Sequence, residues 1–171
     1  MKELFSKRSA REFRPDAVEP DKVEILLKAA MCAPVNGRPS QREFIVVTDK
    51  SILQRLSQIS PYAACISGAP LAIVLLSNAD NIEFPELWEQ SMAAATEKIL
   101  LECVHLDMCG TWLGVSPLTE RIENVSKIFD LPEHIVPFSI IAIGYPLERT
   151  SMDREFDFSC VYYNSYQRSE K

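Results

Sequence analysis

Glycine is scarce in this chain, five among 171 residues, and none of the five builds a G-x-G-x-x-G or a Walker sequence. A dinucleotide-binding Rossmann domain needs a glycine-rich turn after its first strand, so that architecture is disfavoured. Histidine is scarcer still: only His105 and His134 are available, and neither a G-x-S-x-G nor an H-E-x-x-H motif occurs. The sequence therefore offers no convincing protein nucleophile or acid–base pair. Its five cysteines (Cys32, Cys65, Cys103, Cys109 and Cys160) are scattered, odd in number and without a C-x-x-C pair. That pattern suits free thiols in a reducing compartment rather than a zinc site or a disulfide framework. Cys109 differs from the others only in abutting Gly110. No apolar run approaches the roughly 20 residues that span a bilayer. The start, Met1-Lys2-Glu3-Leu4-Phe5, lacks the apolar stretch of a secretory signal. The cytoplasm is the expected location. A net charge of -6 argues against nucleic-acid binding, which relies on a basic footprint.

What is present is ordinary for a globular domain, with 47% apolar and 25% charged residues, and the length fits one domain over residues 1–171. Pro20 and Asp21 open a helix in which Val23, Leu26, Leu27, Ala30 and Met31 recur at helical spacing, ending before Ala33-Pro34. Glu43 to Thr48 is a short β-branched strand, and Leu71 to Ser77 (LAIVLLS) is a strand apolar enough to be buried on both faces. A helix over Ile52 to Ile59 is expected between them, and the polar stretch Asn78 to Pro85 reads as a mobile connection. Met92, Ala95, Thr96, Ile99, Cys103 and Leu106 mark one long helix over about Leu87 to Asp107, and a fourth helix covers about Thr119 to Phe129. Phe138 to Ile143 is a further strand, and Cys160 to Tyr163 a candidate last one. This irregular alternation predicts a sheet of four or five strands with helices on both faces.

Three separated segments carry the chemistry. Lys7-Arg8-Ser9-Ala10-Arg11-Glu12-Phe13 places three cations and a hydroxyl within five residues, a set suited to phosphate; taken alone, it also reads as a solvated basic start. Ser91 to Gly114 runs from a small-residue helix, whose alanines also suit plain core packing, into a Gly-bounded aromatic strand. Pro137 to Pro146 (PFSIIAIGYP) is a buried strand closed by Gly144, Tyr145 and Pro146. In this order they resemble the nitroreductase family of FMN-dependent oxidoreductases. Its N-terminal pattern R-x-S-x-[RK]-x-[FY] is matched by Lys7, Ser9, Arg11 and Phe13. Ala33 to Phe44 (APVNGRPSQREF) is similar to A-P-S-x-x-N-x-Q-P-W-x-F at its flanks and departs at its centre, where Arg38, Ser40 and Arg42 stand at the Asn, Gln and Trp. Trp88 to Leu101 resembles the helix W-x-Q-D-x-S-A-A-T-x-N-x-L-L, with Ser91 for the Asp and Lys98 for the Asn; Cys109 to Pro117 (CGTWLGVSP) resembles G-x-G-x-x-W-x-G.

The resemblance implies an α+β fold with a central, mainly antiparallel or mixed sheet of four to five strands covered by helices on both faces. It implies FMN as cofactor and no catalytic side chain, the flavin carrying the chemistry. Lys7, Arg8 and Ser9 would hold the phosphate and ribityl chain. Arg11 would sit at the pyrimidine edge, where a cation stabilises the reduced flavin. Asn36 or Arg38 would hydrogen-bond the ring, and Ser40 the ribityl hydroxyls. The backbone at Leu113 and Gly114 would run along the ring with an amide directed at N5. Arg154, by itself an exposed arginine, would complete the phosphate clamp, and Trp112 serves equally well as a core aromatic. The implied reaction is ping-pong: NADH or NADPH reduces FMN, and a small acceptor such as a nitroaromatic or quinone then reoxidises it. A homodimer with FMN at the subunit interface is implied, the tail over about 160–171 extending onto the partner subunit. Two alternatives stay open: a non-catalytic flavin-binding redox sensor or FMN-storage protein, and a cofactor-free interaction domain that keeps only the fold.

Overall fold

The two most continuous apolar stretches of the sequence become the central strands of one sheet. In the computed structural model, which describes residues 2–7, 9–148 and 155–166, the strands are β1 (Arg42–Val47), β2 (Leu71–Asn78), β3 (Cys109–Gly114) and β4 (Ile135–Gly144). They form an antiparallel sheet in the order β1-β2-β4-β3, so β1 and β3 are its edges. Five helices accompany it: α1 (Lys2–Ser6), α2 (Pro20–Met31), α3 (Lys50–Leu56), α4 (Trp88–His105) and α5 (Thr119–Phe129). The period of two along β2 sorts side chains between two cores. Leu71, Ile73 and Leu75 join Leu26, Ala30, Met92, Ala95 and Ile99 under α2 and α4. Ala72, Val74 and Leu76 join Leu53, Leu56, Ile66 and Val125 under α3 and α5. Each fully buried Val, Leu or Ile contributes about 1.5–3 kcal/mol, and the half-polar α5 stays docked through Val125 with the partly buried Ile122, Ile128 and Phe129.

The helix and strand expectations hold to within a few residues, and three differences have physical causes. The sheet register shifts at Phe138, since Leu75 pairs with Ser139 but Leu76 with Pro137; the bulge brings Phe138 into the α4-side core together with Ile141 and Ile143. The stretch after β2 is tied down by hydrogen bonds. Ala79–Asn81 forms a 3-10 turn, with Ala79 N donating to His134 O at 2.7 Å and Asn78 Nδ2 to Glu43 Oε1 at 2.8 Å. Cys160–Tyr163 is not a strand: Phe158–Cys160 is a 3-10 turn, capped at its start by Asp157, whose side chain accepts from Ser159 N, and the chain beyond makes bends.

Two polar anchors fix the segments that matter later. Arg42, only 8% exposed, sends its guanidinium beneath the end of α2, donating to Ala30 O at 3.3 Å, Met31 O at 3.3 Å and Ala33 O at 3.1 Å. Those carbonyls belong to the last turn of the helix and its exit, where intrahelical partners run out and a positive charge is favoured. Burial pulls the Arg42 pKa down, and Cys32 nearby partly offsets this. The second anchor is Tyr145, just after β4. Lys22 Nζ lies 2.5 Å from its hydroxyl and 3.0 Å from Glu19 Oε1, and the hydroxyl donates to Glu19 Oε2 at 2.5 Å. Hydrogen bonding from Tyr145, then from its own backbone and from Lys22, holds the Glu19 carboxyl down at about 2.

Replacing Arg42 with Leu leaves three carbonyls without a charged donor, and we expect a loss of about 2–4 kcal/mol in urea denaturation. Glu19 is a carboxylate whose folded pKa is depressed from an ordinary 4.5 to about 2. Its contribution is therefore complete above about pH 5 and is lost as the pH falls towards 2. The stability difference between the native protein and Glu19→Gln should be flat above about pH 5 and should close as the pH falls to about 2; a difference independent of pH would contradict this.

Candidate functional site

The edge strand β3 organises the candidate site. Val115 N donates to Phe138 O at 2.9 Å, and Gly114 faces Ser139 in register. Antiparallel ladders alternate, so the odd residues of β3 bond to β4, while Gly110, Trp112 and Gly114 turn their N–H and C=O groups to the free side. A Cβ built on Gly110 would lie 2.7 Å from Leu100 Cδ2, so any side chain there would have to displace Leu100 of α4. At Gly114 the same test meets no atom within 4 Å. The protein's own packing gives no reason for glycine at 114, and the space over it is open to a ligand. Trp112, 36% exposed, stands beside it with its ring 6.1 Å from Phe138, which also meets Trp88 edge-on at 5.8 Å.

The N-terminal segment is laid against β3 and the end of β4. Thr111 Oγ1 donates to Ala10 O, Arg14 N to Tyr145 O at 2.9 Å and Leu147 N to Glu12 O at 3.3 Å. Phe13 packs at Gly144, where an added Cβ would lie 3.0 Å from its ring and 2.7 Å from Pro70. Ser9 and Arg11 are thereby held beside Thr111, both exposed, with Lys7 half-buried. Arg11 reaches towards Cys65: burial pushes that thiol up, and the Arg11 charge partly pulls it back. Gly114 lies about 10 Å further along β3 from Thr111, three residues at ~3.4 Å each. Arg8 and Arg154 lie outside the described residues.

The 33–41 loop gathers at the other end of the sheet, against the start of α4. Asn36 N donates to Ser91 Oγ at 2.9 Å, and Asn36 Nδ2 to the same oxygen at 3.3 Å and to Leu87 O at 3.4 Å. Gln41 Nε2 donates to Asn36 O at 3.2 Å, and Asn81 Nδ2 to Ser40 O at 3.2 Å. The Asn36 amide thus faces α4, whereas Arg38 and Ser40 are exposed. Ser116 Oγ donates to Glu89 Oε1 at 2.7 Å, joining the same helix end to the turn after β3. Within one chain, then, the structure brings Ser9 and Arg11 to one end of β3, Leu113 and Gly114 to the other, and Arg38 and Ser40 to the α4 end of the sheet. Sequence reasoning missed Thr111, Ser116 and Arg121, whose Nη1 donates to Gly114 O at 2.8 Å; each acts through a contact set by tertiary structure. Among the described residues no group of three His, Cys, Asp or Glu side chains could hold a metal. No helix there is long and apolar enough to cross a membrane. An open dent beside Tyr145 is lined by Arg14, Asp16, Ala17 and Glu19, charges already paired with one another or with Lys22.

Comparison with known proteins gives the family and the fold. The model of the Nitroreductase family matches residues 4–64, which take in the N-terminal cations and the 33–41 loop. A candidate NADH dehydrogenase/NAD(P)H nitroreductase of Methanothermobacter thermautotrophicus is 35% identical over 156 residues, covering 90% of this chain and 81% of that protein. A candidate NADH oxidase of Clostridium acetobutylicum has the same fold, with a TM-score of 0.92 and 41% identity over 96% of this chain and 99% of its own. A Clostridium difficile structure named as an FMN-dependent nitroreductase matches at a TM-score of 0.87 and 27% identity, covering 96% and 98% of the two chains. Identity sustained along the chain, on a sheet whose glycine edge and N-terminal cations occupy the positions described, means that this chain belongs to the nitroreductase family.

Proposed function

We propose that the protein is an FMN-dependent oxidoreductase that uses NADH or NADPH to reduce a small acceptor, such as a quinone or nitroaromatic, in a ping-pong reaction. The observation that carries this reading is the open edge at Gly114. A flat ring can approach backbone amides only where no Cβ intervenes, and a Cβ at Gly114 would enter empty space. The FMN dependence named for the Clostridium difficile relative supports the choice of cofactor. Bound there, FMN would supply the hydride and electron transfer between nicotinamide and acceptor that no side chain of this site provides.

The chain's own groups have separate parts in this reading. Lys7, Arg8, Ser9 and Arg154 bind the phosphate, a role for which cations and a hydroxyl are the right chemistry. Gly114 presents its outward N–H to the ring, whereas the Leu113 N–H and C=O are bonded to β4. Arg11 supplies positive charge that favours the reduced cofactor. Trp112 and Phe138 form an apolar wall that excludes water beside the glycine. Asn36 holds the loop through Ser91 and leaves Arg38 and Ser40 facing outward to reach the cofactor. These groups lie at opposite ends of one chain's sheet, which favours a homodimer with FMN between subunits. Phe156, Phe158, Tyr163 and Tyr166, 61–86% exposed, give the tail an aromatic surface fit to be covered by a partner subunit. The proposed compartment is the cytoplasm, where both nicotinamides are at hand.

The test is Gly114→Val in the full chain. A Cβ there meets no protein atom within 4 Å and valine suits a strand, so the denaturation midpoint should hold while FMN affinity falls by about tenfold or more. Equal FMN uptake by the variant removes the Gly114 edge from the site. Wild-type protein that takes up no FMN rejects the function, and FMN-loaded protein that does not oxidise NAD(P)H in the presence of a quinone is a flavin-binding sensor or store.

A further inference from the structure

Arg121 is the third residue of α5, and its guanidinium turns back across the β3–α5 connection to the Gly114 carbonyl, 2.8 Å from Nη1. That carbonyl is one of the backbone groups directed to the free side of β3, so a fixed cation stands at the same edge as the open glycine. Its charge is not neutralised by the protein, for no ion pair among the described residues involves it. Glu89, which accepts the Ser116 hydroxyl at the turn after β3, makes no ion pair with Arg121. One N–H anchors the side chain and its other donors have no protein acceptor among the described residues. Arg11, by contrast, stands beside Thr111 at the other end of the strand, within reach of Cys65.

We propose that Arg121 is a positioning residue of the flavin site: it grips Gly114 and fixes the free edge of β3, and its charge makes the site bind reduced FMN more tightly than oxidised FMN. This rests on the FMN reading above. Reduction adds negative charge to the cofactor, and a half-exposed cation nearby acts through an effective dielectric of about 20, enough for about a tenfold preference. By linkage, a group that favours the reduced form raises the potential in proportion. Tenfold in a two-electron couple is about 30 mV.

The experiment is the midpoint potential of FMN-loaded protein, read by equilibration with a reference dye, for wild type, Arg121→Gln, Arg121→Ala and Arg121→Lys. Glutamine keeps a donor for Gly114 and removes the charge; lysine keeps the charge. Alanine removes both, and as the best helix former it preserves α5. We expect the glutamine and alanine proteins to fall by about 30 mV, the lysine protein to stay near wild type, and the denaturation midpoints of the FMN-free proteins to differ little. Glutamine and alanine proteins that load FMN and keep the wild-type potential overturn the inference while leaving the FMN reading intact. A lysine protein that falls as far as the alanine protein overturns the role of charge. Wild-type protein that loads no FMN overturns both readings together.

Discussion

An edge strand satisfies its backbone through every second residue, and β3 is such an edge. β4 beside it is paired on both sides and buried almost throughout, so it offers nothing to a ligand. On β3 the outward groups must each find water, a side chain or a bound molecule, because a polar group left alone out of water is costly. The Gly114 carbonyl has Arg121; the Gly114 amide has no protein acceptor among the described residues, and a Cβ on its Cα would meet no atom within 4 Å. β1 is the other edge and is built differently, with side chains on all six residues and Val46 41% exposed, so no ring could lie flat against its backbone. The candidate site therefore follows from strand order and one residue without a side chain, before any charged group is considered.

Local pattern made most of the elements legible. Leu26 and Ala30 in α2, and Met92, Ala95 and Ile99 in α4, are buried at helical spacing because that spacing is what packing on a sheet demands. Strands β2 and β4 read as buried because both faces are covered and their apolar runs are nearly unbroken. What stayed hidden depends on distant residues. Whether β3 pairs with β2 or β4 is not written in either strand, nor is the bulge at Phe138, which adjusts two pairings at once. The tail misread as a strand over Cys160–Tyr163 has strand composition, but composition does not supply a pairing partner. Among the candidate site residues, Ser9, Arg11, Leu113 and Gly114 are marked by the family pattern. Thr111 and Arg121 are not, since a threonine in a strand and an arginine in a first helical turn look like ordinary surface until the fold shows which carbonyl each one meets.

The loop that departs most from the family pattern is also the one most heavily tied. Arg42 stands where that pattern has Trp, and its stem and guanidinium fill the space under α2 while its charge meets the helix's negative end. No carboxylate is needed for this, because three carbonyls and the helix dipole serve in its place. Ser91 stands where the pattern has Asp and is 1% exposed. A carboxylate so buried would demand a cation; a hydroxyl needs only the donors that Asn36 supplies from its backbone and side chain. Each of the two changes is thus met by its own hydrogen bonds, the Arg42 donors by helix-end carbonyls and the Ser91 oxygen by Asn36.

Stability and site chemistry are carried by different residues. The two cores are almost wholly aliphatic and lie over the sheet, whereas Ser9, Arg11, Arg38, Ser40 and Gly114 are exposed and bury little. Exposed groups of this kind cost the fold little when they change, so substrate preference can drift across the family without unfolding it. The contacts that couple the fold to the site include Thr111 with Ala10, Phe13 with Gly144, Asn36 with Ser91 and Arg121 with Gly114. Of these, Gly144 is the least forgiving, because the atoms an added Cβ would meet include the Pro70 ring at 2.7 Å, which cannot swing aside as a flexible side chain would. The N-terminal cations are exposed, but the backbone that carries them is set by a ring contact in the core's outer layer.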